Sequence, residues 1–179
     1  MDSKRIIAGL MLAALCVHPA HGQSRPVAEI APFVETDGVR AGSSARVALT
    51  VTLPEGLHVQ SNQPRDPTLI PTVLTIDAPP GVRVTKLIFP EPKDFRLKGQ
   101  AEPLSVFDHE FVAGAELAIA DSVPPGDLVI PARLRYQACN DRVCFAPLTA
   151  TTGWTLRIVG PKAPVKPAHK RERDVFARL

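Results

Sequence analysis

The sequence predicts an all-β protein, an immunoglobulin-like antiparallel β-sandwich. Proline supplies 19 of its 179 residues, about twice the usual share, and each proline inside a helix costs about 3 kcal/mol. Between residues 23 and 159, apolar side chains recur with period two in short segments that end at turn-forming residues. Seven or more such segments, without an amphipathic helix between them, are typical of this sandwich.

The clearest strand is predicted over residues 46–53, where apolar and polar side chains alternate until the turn Pro54-Glu55-Gly56. The segments at 78–81 and 123–127 each contain Pro-Pro-Gly, which is a strong turn signal. The remaining strands, each bounded by proline, glycine, aspartate or asparagine, are predicted over residues 57–61, 72–77, 82–89, 104–112, 128–138 and 151–159.

Residues 1–22 are expected to be a cleaved signal peptide. Lys4 and Arg5 precede an apolar run over residues 6–17, and the small residues Ala20 and Gly22 fit cleavage after Gly22. The run is too short to cross a bilayer, which takes about 20 apolar residues. We therefore expect an exported protein whose folded domain begins at residue 23.

Residues 160–179 are expected to form a Pro-rich, basic and flexible tail. They contain three prolines and six basic residues against two acidic ones. The alternative is a basic arm that contacts an anionic membrane surface or a partner, which would be the protein's membrane contact.

The net charge of +3 belongs to the two ends of the chain. The leader carries +1 and the tail +4, which leaves thirteen basic and fifteen acidic residues for the domain at 23–159. Aromatic residues make up only 5% of the chain, too few for a base-stacking platform. Both observations argue against a nucleic-acid partner.

The candidate chemistry lies at Cys139 and Cys144, which flank the four-residue loop Asn140-Asp141-Arg142-Val143. The third cysteine, Cys16, lies in the predicted leader, so the exported domain keeps these two. A hairpin at this loop would hold the two side chains close enough for a disulfide, which persists in an oxidising compartment.

Three uses of the pair stay open from the residues alone. A disulfide that closes a loop of about six residues contributes roughly 2 kcal/mol, against roughly 4 kcal/mol for a loop of about 60 residues that joins two sheets. The pair therefore suits exchange with a partner's thiols, and Arg142 can favour a thiolate there. The other uses are a local structural clip and Cu(I) binding with His58 or His109. No cofactor and no resident metal are expected.

Three segments resemble one known family. Residues 136–147, YQACNDRVCFAP, are similar to the Y-Q-x-C-x-x-x-x-C-x-x-P signature of the N-terminal periplasmic domain of the thiol:disulfide interchange protein DsbD. Residues 56–64 resemble an upstream segment of that family. Phe89-Pro90, Asp94-Phe95 and Lys98-Gly99 resemble its cap-loop segment. The likeness spans residues 34–159.

The resemblance implies an immunoglobulin-like domain that passes reducing equivalents by thiol–disulfide exchange. Carried over by position, Cys144 forms mixed disulfides with partners and Cys139 resolves them. Phe95 is the cap that shields the pair until a partner displaces it, and Asp94 and Tyr136 lie near the pair. The implied activity is that of a protein-disulfide reductase component.

The resemblance also implies a periplasmic location and a set of partners. These are periplasmic thioredoxin-like or disulfide isomerase proteins, including those of cytochrome c biogenesis, and a membrane thiol reductase acting in trans. Known members of the family have a longer loop between the cysteines, and tyrosines where this chain has His58 and Gln60. The alternative function is a non-enzymatic periplasmic binding module for Cu(I) or an assembly partner, with a local structural disulfide.

Overall fold

The computed structural model describes residues 25–167 and 169–179, so the predicted signal peptide lies outside the described residues. Within them the chain forms twelve strands and one short helix. Their bounds are β1 Glu29–Val34, β2 Val39–Arg40, β3 Ser44–Thr52, β4 His58–Gln60, β5 Val73–Ile76, β6 Val82–Ile88, β7 Lys93–Phe95, β8 Leu104–Asp108, β9 Glu110–Ile119, β10 Gly126–Tyr136, β11 Ala138–Cys139, β12 Leu148–Val159 and α1 Lys170–Phe176.

The strands are arranged in three four-stranded sheets. The first has the order β1-β3-β9-β6 and the second the order β2-β12-β10-β5. The third, which we call the small sheet, has the order β11-β4-β8-β7. The strand pairs are antiparallel except for β2 and β12, which run parallel. The predicted all-β, immunoglobulin-like antiparallel sandwich is confirmed.

The core contains side chains from the first two sheets. In β10, Ile130 and Leu134 are fully buried, and the residues between them are exposed and buried in alternation. They belong to one apolar cluster with Leu49 of β3. Trp154 of β12 crosses this core, because its indole Nε1 donates to the carbonyl oxygen of Ala48 in β3 at 2.9 Å. That bond satisfies the one polar atom of a buried indole.

Most predicted strands are confirmed within a few residues at their ends, and two are divided. The predicted strand over 104–112 is wrong as a single element, because His109 adopts a positive φ of 50° and turns the chain between β8 and β9. That turn is held by a 2.7 Å bond from the amide of Leu53 to the carbonyl of His109. The predicted strand over 128–138 likewise ends at Tyr136, before β11 begins at Ala138.

Some strands carry no alternating pattern, and the sequence does not predict them. β1 contains a proline, β2 and β7 have two and three residues, and the middle of β9 is the small-residue run Ala113-Gly114-Ala115. In β9 the small residues serve close packing, since a Cβ on Gly114 would lie 2.4 Å from the carbonyl oxygen of Val47. Pairing with distant strands, and not local pattern, decides these segments.

Residues 160–179, for which a flexible tail is expected, include a helix that packs against the sandwich. Val175 and Phe176 of α1 are buried in a cluster with Ala48 of β3 and Val112 of β9. Arg46 lies over the Phe176 ring, 5.6 Å from its centroid. A seven-residue helix is not stable alone, so this apolar contact holds it in place.

The linker that leads to α1 is also attached to the sandwich. Asp37 exchanges two bonds with Lys166, one through its backbone amide at 3.1 Å and one through its carboxylate at 2.8 Å. The guanidinium of Arg40 donates to the carbonyl of Ala163 at 2.8 Å. Among residues 25–167 and 169–179, no helix has the length and hydropathy that a membrane span needs.

Candidate functional site

The two cysteines lie at the edge of the small sheet and are joined by a disulfide. Cys139 ends β11, and Cys144 pairs with it across the short loop, with 4.0 Å between their Cα atoms. Asn140 shapes the loop, since its Oδ1 accepts from the amides of Arg142 and Val143, both at 2.9 Å. An asparagine side chain that replaces a backbone acceptor in this way is a common turn device.

The chain around the loop is fixed on both sides. The amide of Phe145 donates to the carbonyl of Ala138 at 2.9 Å. The Gln137 side chain spans the same gap, with its Nε2 donating to the carbonyl of Phe145 at 2.9 Å. These bonds hold the backbone on either side of the disulfide independently of the sulfur atoms.

The two sulfur-bearing residues differ in accessibility. Cys139 is 1% exposed, whereas Cys144 is exposed to solvent together with Asp141, Arg142 and Val143. An external thiol or disulfide therefore reaches Cys144 first. The arrangement provides one accessible sulfur and one protected sulfur in a single bond.

His58 lies directly beside the buried cysteine. In the small sheet its position in β4 is opposite Cys139 on one side and Asp108 of β8 on the other. The side chain is 2% exposed, and its Nε2 has no hydrogen-bond partner among the described residues. Burial lowers the pKa of His58 below its ordinary 6.5, although the carboxylates of Asp141 and Asp108 act in the opposite direction.

Phe95 covers His58 from the edge strand β7. The two ring centroids are 4.2 Å apart, and the rings are tilted by 36°. Its neighbour Asp94 points away into an ion pair with Arg65, at 2.5 Å between Arg65 Nη2 and Asp94 Oδ1. Phe95 thus reaches the site through its contact with His58. Asp94 instead attaches the same strand to Arg65.

Tyr136 and Arg142 occupy different surroundings. Tyr136 is buried in the core cluster, where its hydroxyl accepts a 2.9 Å bond from the amide of Ala28. The Tyr136 hydroxyl therefore bonds within the core, at the end of β10 and three residues before Cys139. Arg142 is exposed in the loop between the cysteines.

The two histidines considered for Cu(I) are placed differently. His58 is beside Cys139, whereas His109 stands at the β8–β9 corner with 77% of its side chain exposed. In the part of the chain that the structure describes, no three histidine, cysteine, aspartate or glutamate side chains are grouped to hold a metal ion.

Arg65 is a site residue that the sequence prediction missed. It donates to Asp94, 29 positions away, and also to the carbonyl of Pro103 at 2.8 Å. Arg65 thus joins β7, just before Phe95, to the end of the loop that follows it. No local pattern marks an arginine for such a contact, because the partners meet only in the folded sheet.

Comparison with known proteins gives a family match over most of the domain. A family model described as "Thiol:disulfide interchange protein DsbD, N-terminal" matches residues 29–155. No curated protein matches the chain.

Similar solved structures include two N-terminal domains. The N-terminal periplasmic domain of ScsB from Proteus mirabilis is 16% identical, with a TM-score of 0.52, over 85% of this chain and 54% of that one. The reduced N-terminal domain of DsbD from Neisseria meningitidis is 14% identical, with a TM-score of 0.44, over 77% of this chain and 90% of that one.

Proposed function

This chain belongs to the family of the N-terminal domain of the thiol:disulfide interchange protein DsbD, and we propose that it works in the periplasm as a thiol–disulfide relay. It takes reducing equivalents from a membrane thiol reductase and passes them to periplasmic thioredoxin-like or disulfide isomerase proteins. The family is one of thiol–disulfide exchange; the direction and the class of partner are our proposal.

The observation that carries the proposal is the unequal exposure of the two cysteines. In the reduced domain, the Cys144 thiolate attacks one sulfur of a partner disulfide, forms a mixed disulfide and releases the other partner sulfur as a thiolate. The Cys139 thiolate then attacks the Cys144 sulfur, which re-forms the internal disulfide and releases the second partner thiolate. Two electrons pass to the partner. Exposed Cys144 fits the first step, and buried Cys139 fits the second.

The small contribution of this disulfide to stability is a second argument for exchange. The loop between the cysteines has a sequence separation of five, so on the chain-entropy model the disulfide contributes only about 2 kcal/mol. Neither cysteine belongs to the main core cluster. A bond that can be opened without loss of the fold is what a relay needs.

The residues around the pair take supporting roles in this proposal. Phe95 is the cap, because its ring covers His58 beside Cys139, and a partner displaces it on docking. Asp94 fastens the cap strand through Arg65. Arg142 favours the thiolate of Cys144 from within the loop, as cationic neighbours lower thiol pKa values.

The test is capture of a mixed disulfide. With Cys139→Ala, the first step proceeds and the second cannot, so Cys144 is expected to accumulate in covalent complexes with periplasmic oxidoreductases. The matched control is the double variant Cys139→Ala/Cys144→Ala, which should give no complexes. Non-reducing gels and mass spectrometry identify the species. A reduction potential below about −300 mV together with no captured partner would instead identify a structural clip.

A further inference from the structure

The outer face of the small sheet is covered although it carries polar side chains. Successive strand residues point to opposite faces, and Val59 and Phe107 point into the main core. His58 and Gln60 therefore point to the other face, which a sandwich commonly leaves to water. Both are nevertheless buried, with exposures of 2% and 1%.

Three side-chain polar atoms of this covered face are unsatisfied. His58 Nε2, Gln60 Oε1 and Gln60 Nε2 have no hydrogen-bond partner among the described residues. The main chain beside them is well paired, since the carbonyl of Gln60 accepts from the Thr72 hydroxyl at 2.6 Å. Buried polar groups are nearly always hydrogen-bonded, so both ends of one amide left without a partner require a reason.

The position of these atoms supplies the reason. Gln60 is two residues from His58 on the same face, and His58 is opposite Cys139. The cap residue Phe95 lies on His58, at 4.2 Å between ring centroids. Displacement of that ring would uncover His58 to a molecule bound at the cysteines, and Gln60 is its neighbour on the same face.

We propose that Gln60, with His58, recognises the main chain of the partner beside its disulfide once Phe95 is displaced. The inference rests on the proposed exchange function. An amide offers one acceptor and two donors without charge, which matches the C=O and N–H of a peptide unit. Main-chain recognition is independent of the partner's side chains, so one site serves several oxidoreductases.

The surroundings of His58 agree with this role. The facing groups are the carboxylate of Asp108 from β8, that of Asp141 from the cysteine loop and the ring of Phe95 from β7. Burial lowers the pKa of the imidazole, which favours its neutral form with one donor and one acceptor. It thus offers the same kinds of hydrogen bond as the amide of Gln60.

The test replaces the amide by an apolar side chain of similar length, in Gln60→Met. The reduced protein is mixed either with the oxidised a-domain of protein disulfide isomerase, as a protein disulfide, or with bis(2-hydroxyethyl) disulfide, which has no peptide unit. We expect exchange with the protein to slow about tenfold, as for the loss of two hydrogen bonds, and exchange with the small disulfide to stay within about twofold. The control is Gln63→Met, at an exposed glutamine, which should leave both rates unchanged.

Thermal unfolding of the same variants shows whether slower exchange results from a loss of structure. Because Gln60→Met removes unsatisfied buried atoms, its melting temperature should equal or exceed that of the parent. A lower melting temperature would mean that the amide is bonded in the closed domain, and equal slowing with both oxidants would mean a general effect on the cysteines. Either result overturns the inference. If the parent itself fails to exchange with the protein disulfide, the proposed function fails instead.

Discussion

At the scale of single residues, the site depends on what surrounds each sulfur. Cys139 lies in a strand between covered neighbours and is 1% exposed, whereas Cys144 follows a solvent-exposed loop. The sequence predicted the pair from its spacing, and the family resemblance assigned the attacking role to Cys144. The spacing itself is symmetrical, so it does not distinguish an accessible thiol from a protected one.

His58 should make the stability of the domain depend on pH. Its pKa in the folded state lies below the ordinary 6.5, chiefly because burial disfavours the charged ring. Below about pH 6.5 the unfolded chain binds a proton at this imidazole that the folded chain binds less readily. The free energy of unfolding should therefore fall as the pH falls through this range.

Denaturant unfolding between pH 7.5 and pH 5 measures this dependence. His58→Gln should flatten it. An unchanged slope in His58→Gln would show that other groups cause the pH effect.

At the scale of elements, the proposed cap residue Phe95 lies on a short edge strand with few attachments. β7 has three residues and pairs only with β8 in the small sheet. Two exposed ion pairs add to this, Arg65 with Asp94 and Lys93 with Asp108. A strand with so little burial opens at low cost, which suits a cover that partners displace.

Arg65→Ala should loosen this cover. An exposed ion pair contributes about 0.2–1 kcal/mol, so its loss should raise the rate of exchange with glutathione disulfide by up to about fivefold. The matched control is Arg133→Ala, which removes the equally exposed ion pair with Asp77 in the second sheet. Stopped-flow or quenched mass spectrometry gives both rates, and a similar change in the two variants would exclude a specific fastening role for Arg65.

For the helix α1 we expect the opposite result, a change in stability without a change in the rate of thiol–disulfide exchange. Phe176→Ala removes the main buried side chain of the helix and should cost up to about 3 kcal/mol. Trypsin should then cut faster within residues 160–179, while the exchange rate of the cysteines should not change. The comparison variant is Leu87→Ala, at an apolar residue that is 45% exposed. Protection of the tail equal to that of the parent would mean that the docked helix does not depend on Phe176.

At the scale of the whole molecule, the fold and the redox pair are nearly independent. The main core joins the first two sheets and contains neither cysteine, and the backbone around the loop has its own hydrogen bonds. Reduction should therefore leave the domain folded.

We expect reduction to lower the free energy of unfolding by about 2 kcal/mol, which corresponds to roughly 5–10 °C in the melting temperature. Circular dichroism with and without reductant measures the difference, and Cys139→Ala/Cys144→Ala reproduces the reduced state without reagent. Loss of the folded signal on reduction would assign the disulfide a structural role.

The sequence predicted the parts of the fold that local pattern controls. Period-two segments marked most of the long strands, because one face of each is buried. The pattern did not predict all of β9, where small residues allow the backbones to approach closely at Gly114. It also did not predict α1, because most of the helix is charged and only Val175 and Phe176 are apolar and buried. In both places the deciding contact is with a distant strand.

By itself, then, the sequence determined an antiparallel sandwich and one close pair of cysteines within it. Tertiary structure alone decided which cysteine is accessible, that Arg65 bonds Asp94 beside Phe95, that the tail docks, and that His58 and Gln60 are covered with polar atoms unpaired. The physical reason is separation along the chain. Arg65 meets a residue 29 positions away, and the hydroxyl of Tyr136 meets the amide of a residue 108 positions away. Such contacts exist only when the sheets have assembled, so no local pattern contains them.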